Sequence, residues 1–162
     1  MSVVLMRGQT DCEEAAGGTA TGRTWEELHA ALGKKGIPNS LEDPIAGNPV
    51  NLKRAIESLG FRCDEVGLSA ILHGKATPGK TICLIHGLSH PFLAQHWVVW
   101  AGILSDGKHA FWWGDSAGTR ALDPQLVADL ITKGAPNCVF TVVPVEKPRK
   151  WWQRILYWLG LR

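Results

Sequence analysis

QHWVVWAGILSDGKHAFWWGD, residues 95–115, reads as two strands and the turn between them. Residues 96–104 are almost all apolar and rich in Trp, Val and Ile, the composition of a buried strand. Asp106-Gly107 lies in the link 105–108, a pair that favours a tight hairpin because glycine takes positive φ there without steric cost. Ala110–Trp113 then returns antiparallel to the first strand. That return brings residues 114 and 115 to the level of His96. The stretch alone therefore predicts a histidine at the mouth of one strand and Asp115 just beyond the end of its neighbour.

Working outward, further strands are predicted at Thr81–His86 and Cys138–Pro144. Asp123-Pro124 opens a helix ending near Gly134, with proline in its first turn. Upstream the pattern is helical. Thr24 with Glu27 three residues on is a capping box for a helix over Thr24–Leu32, whose Trp25, Leu28, Ala31 and Leu32 share a face. A helix over Val50–Leu59 stops at Gly60. A first helix starts near Cys12, with Thr10 or Asp11 as N-cap and Glu13 and Glu14 in the first turn. Gly17, Gly18 and Gly22 are expected to interrupt it. Residues 33–49, rich in Gly, Pro and Asn, read as a loop suited to substrate contacts. Helices followed by an antiparallel sheet predict an α+β fold of two facing layers, an N-terminal helical layer on a C-terminal sheet.

The chain has 162 residues, enough for one domain. Its 45% hydrophobic and 20% charged residues are those of an ordinary globular protein, and a net charge of +2 gives no reason to expect nucleic acid. No signal peptide and no stretch of the ~18–20 apolar residues that span a bilayer is read, so the expected location is cytoplasmic, or outside by a signal-independent route. The cysteines at 12, 63, 83 and 138 have no metal-ligand spacing, and nothing calls for a metal or cofactor. Cys63, Cys83 and Cys138 lie in apolar surroundings and read as small core residues.

Cys12 is different. A cysteine opening a helix has its thiolate stabilised by the helix's unpaired N–H groups. His96 is the candidate base, with His86 its main rival. Asp115 is placed to hold the Nδ1–H of His96 and fix its tautomer. The same Asp115 also suits the first position of the turn Asp-Ser-Ala-Gly. Trp97, Trp112 and Trp113 are expected to pack the sheet.

Several short motifs carry a resemblance, in order: Gln9-Thr-Asp-Cys12, Thr24-Trp-Glu-Glu-Leu28, Asn51–Phe61, His96-Trp-Val-Val, Asp115-Ser-Ala-Gly118 and Leu122-Asp-Pro-Gln-Leu126. Over residues 9–133 the chain resembles the C39-type, papain-like cysteine peptidases. The resemblance implies a papain-like fold over residues 1–145 and a Cys12–His96–Asp115 triad that forms an acyl-enzyme on a peptide or protein substrate. It also implies an oxyanion-hole glutamine six residues before the cysteine. This chain has Met6 there, and Gln9 is the nearest candidate. The family's glycine after the cysteine is Glu13 here. A free-standing bacterial processing protease or an exported effector would suit the size. The alternatives left open are a deamidase or transglutaminase using the same triad, and an inactive papain-like module that binds peptides.

Residues 146–162, EKPRKWWQRILYWLGLR, form a basic tail bounded by Pro148. As a helix it places Trp151, Trp152, Ile155, Leu156 and Leu159 on one face, suited to a docking surface or to a peripheral membrane contact. Oligomeric state is left open.

Overall fold

A computed structural model describes residues 3–7, 11–33, 48–86, 95–115, 118–132 and 138–145. The expected tail, 146–162, and loop residues 34–47 lie outside them. The elements run α1 (Cys12–Thr21), α2 (Trp25–Ala31), α3 (Pro49–Ser58), β1 (Phe61–Glu65), α4 (Leu68–Leu72), β2 (Thr81–His86), β3 (Gln95–Ile103), β4 (His109–Trp112), β5 (Thr119–Leu122), α5 (Pro124–Thr132) and β6 (Val139–Pro144). The fold is α+β, built on one six-stranded antiparallel sheet in the order β1-β6-β2-β3-β4-β5. The hairpin β3–β4 forms as its turn residues require, with Gly107 at φ 82°.

Two layers were expected and three are present. One core joins Cys12, Ala15, Ala16 and Ala20 of α1, Leu28 of α2, and Leu52 and Ile56 of α3 to Ile82, Leu84, Trp97, Val99, Trp112, Phe140 and Val142. A second core, on the other face, joins Ile71 of α4 and Val127, Leu130 and Ile131 of α5 to Cys83, Ile85, Val98, Trp100, Phe111 and Val139. The unbroken apolar runs of β2 and β3 are the signature of strands covered on both sides, where a sheet with one wet face would alternate. β1 and β5 were also missed. Both are short edge strands carrying charged residues, so neither shows an apolar run.

Helix α1 corrects a second expectation. It runs unbroken through Gly17 and Gly18 and stops at Gly22, which is left-handed at φ 77°. The two inner glycines are contact points. A Cβ on Gly17 would meet Leu28 Cδ1 at 2.9 Å, and one on Gly18 would meet Val4 Cγ2 at 2.9 Å. Their cost in helix propensity, about 1 kcal/mol each, is offset by the close approach of α2 and of the N-terminal segment. The capping box at the start of α2 forms in full: Glu27 N–H donates to the Thr24 hydroxyl, and Thr24 N–H to the Glu27 carboxylate.

His109 is buried in β4. The Trp100 indole N–H donates to its Nδ1 at 3.3 Å, and burial pushes its pKa below the ordinary histidine value. The unfolded chain takes up this proton near pH ~6.5 and the folded chain only at lower pH, so the unfolded state binds more protons between. Stability from His109 is therefore complete above that value and lost as pH falls through the folded pKa. Urea midpoints measured from pH 7.5 down to about 5 are expected to fall more steeply in wild type than in His109→Gln.

Candidate active site

Cys12 is the first residue of α1 and is buried. Asp11 ends the approach to the helix, but its side chain does not cap α1. Its Oδ2 instead accepts the Arg7 N–H at 2.7 Å and the Trp25 indole N–H at 2.7 Å. This ties the N-terminal segment and α2 to the residue beside Cys12. Glu13 and Glu14 are both buried, and Glu14 pairs with His29 Nδ1 at 3.0 Å. His29 thus lies beneath the start of α1, stacked 4.3 Å from Trp25. The Arg7 guanidinium covers the outer side of this cluster, 4.7 Å over Trp25 and 2.5 Å from Glu26.

His96 is the second residue of β3 and is buried, 8% exposed. Strand alternation gives Trp97 and Val99 to the first core and Val98 and Trp100 to the second, and His96 shares the parity of the latter pair. Its imidazole stacks on Trp113, centroids 5.3 Å apart and planes at 21°. His96 Nε2–H donates to the Trp113 carbonyl at 2.9 Å. A carbonyl only accepts, so Nε2 carries a hydrogen and Nδ1 is the basic nitrogen of the neutral ring. The tautomer was expected to be set at Nδ1 by Asp115. The Trp113 carbonyl, two residues before Asp115, holds the other ring nitrogen.

Cys12 packs in the first core, and His96 shares the parity of residues in the second. Residues 113–115 contact elements on both sides. Trp113 holds His96. Gly114, at φ 79°, accepts the Met6 N–H at 2.8 Å, and a Cβ there would meet Ala15 Cβ at 3.0 Å, one turn along α1 from Cys12. Asp115 follows, half-exposed, its carboxylate in an ion pair with Arg120 of β5. Of the sequence candidates, the structure brings Cys12's helix, His96 and Asp115 to this one segment. Gln9 and the side chain of His86 lie outside the described residues.

Sequence reasoning missed Trp113 and Arg120 as parts of the site. Trp113 stands in the same apolar run as the packing tryptophans, and nothing separates it from them. Arg120 lies on β5, which itself was not recognised. Trp97 and Trp112 pack the sheet as expected.

Burial pushes the Cys63 thiol up to about 12, and pushes Cys83 and Cys138 upward as well, so all three stay protonated near neutrality. None is in a disulfide. A groove of about 450 Å³ runs beside the N-terminal segment, lined by Leu5, Arg7, Arg23, Trp25 and Glu26 among others. Among the described residues, no group of three or more His, Cys, Asp or Glu is arranged to hold a metal ion, and no helix is long and apolar enough to cross a membrane.

No family model matches the sequence, and no curated protein matches it. Among solved structures the chain is similar to the peptidase domain of Streptococcus ComA, a bi-functional ABC transporter involved in quorum sensing. The TM-score is 0.60 over 88% of this chain and 97% of that one, at 13% identity. At that identity the likeness is one of fold.

Proposed function

We propose that the chain is a papain-like cysteine amide hydrolase acting on a peptide or protein, with Cys12 as nucleophile, His96 as base and Asp115 as an acid that orients His96 through the 113–115 segment. The observation that carries the reading is the convergence at residues 113–115 of a helix opening with Cys12, of His96 presenting Nδ1 as its basic nitrogen, and of Asp115. The likeness of fold to a peptidase domain supports it. His96 Nδ1 takes the thiol proton and Cys12 Sγ attacks the carbonyl carbon. The imidazolium returns the proton to the leaving amine, and water attacks the thioester to release the acid and the free thiol. The oxyanion would form at the amino end of α1, with the Gln9 amide as a side-chain donor. The groove beside Arg7 and Trp25 lies one hydrogen bond from Asp11 and is the place for substrate side chains.

The test is the rate at which iodoacetamide alkylates Cys12 from pH 5 to 9, resolved by residue. Modification that stays rapid well below ~8.5, the value of a free thiol, and is lost in His96→Ala, is the expected result. A rate that follows an ordinary thiol in both proteins would leave the second reading, an inactive peptide-binding module. Glu13 buried where the resembled family has glycine favours that second reading.

A further inference from the structure

Trp113 is 5% exposed, and among the described residues its indole N–H, like that of Trp97, has no hydrogen-bond partner. A buried Trp N–H ordinarily finds an acceptor that fixes the ring. Among the described residues its orientation rests on packing. Two of the packing groups are polar rings or planes: the His96 imidazole and the Arg120 guanidinium, the latter 4.3 Å from the Trp113 ring centroid. The same guanidinium pairs with Asp115. Arg120 therefore touches both the tryptophan that carries His96 and the acid that follows it, while remaining half-exposed on β5, outside either core.

The chemistry of the side chain suits this double duty. A guanidinium is flat, delocalised and weakly hydrated, so it stacks on an aromatic face while its edge donates to a carboxylate. An ammonium supplies the charge but not the plane. We propose that Arg120 is a positioning residue of the candidate site: stacked on Trp113 and paired with Asp115, it locks the 113–115 segment, and so fixes the imidazole of His96 that the segment holds through the Trp113 carbonyl. This rests on the hydrolase reading for its catalytic meaning, but its structural content is separate.

Two measurements on the full chain test it together. The first follows the His96 Nε2–H by NMR of protein carrying ¹⁵N-histidine, assigned with His96→Ala. The second is the alkylation rate of Cys12 at pH ~6, below the ordinary thiol range. Arg120→Ala is expected to lose the hydrogen-bonded Nε2–H signal and to slow alkylation by about tenfold to a hundredfold, the scale of an ångström of misplacement. Arg120→Lys, which keeps the charge, is expected to recover only part of either. An Nε2–H signal and a rate unchanged in Arg120→Ala would overturn the proposal, and so would full rescue by lysine, since the stack would then be dispensable. Ordinary thiol reactivity of Cys12 in wild type would overturn the hydrolase reading instead. The NMR signal would still decide the positioning role: lost in Arg120→Ala it stands, kept it falls.

Discussion

Cys12→Ser is expected to reduce amide hydrolysis by at least about a thousandfold, because a hydroxyl at this position is far from its pKa and a neutral imidazole is a weak base for it. His96→Ala should cost a similar factor. The double variant should be no worse than either single one, since a nucleophile and its base act as a unit and their losses do not add. A fluorogenic peptide-amide library read with all three proteins gives the comparison, and far-ultraviolet circular dichroism shows that each has folded. Hydrolysis retained in Cys12→Ser, or two single losses that multiply, would remove Cys12 from the chemistry.

The largest effect on stability is expected at Phe140. It is fully buried on β6, in edge contact with Trp97 at 6.0 Å between centroids, with the Lys53 ammonium 5.3 Å from its ring. It belongs to the core that seats α1, α2 and α3 on the sheet. Phe140→Ala should destabilise by about 3–5 kcal/mol, part transfer energy and part cavity. Against a total of about 5–15 kcal/mol for a domain, that is a large share. Urea unfolding should show a lower midpoint with an unchanged slope. A shift below about 1 kcal/mol would mean that the three helices are seated elsewhere.

What could be read beforehand follows from how local each signal is. The hairpin at 105–108, the capping box at Thr24 and the proline opening α5 are set by residues a few positions apart, and the structure has all three. So is the placement of Cys12 at a helix start. The strand β1 was not legible because FRCDE acquires its strand character from pairing with β6, far along the chain. Gly17 and Gly18 read as helix breakers because what they accommodate, Leu28 and Val4, comes from other elements. The second helical layer was hidden for a related reason. An apolar run says that a strand is covered but not by what. In the site, Cys12, His96 and Asp115 stood out by residue type, whereas the choice of ring nitrogen depends on a backbone carbonyl, which no sequence motif records.

The edge strand β5 has a consequence for how the protein responds to heat. Four residues long and mostly exposed, it is bonded, among the described residues, to β4 on one side only. Such segments open at a small fraction of the free energy of global unfolding. Yet β5 supplies the guanidinium that braces Trp113 and Asp115. Warming is therefore expected to detach the brace while both cores are still packed. On the hydrolase reading, chemistry and fold are separated in temperature: activity should fall before the protein melts, and cooling from between the two should restore it without refolding.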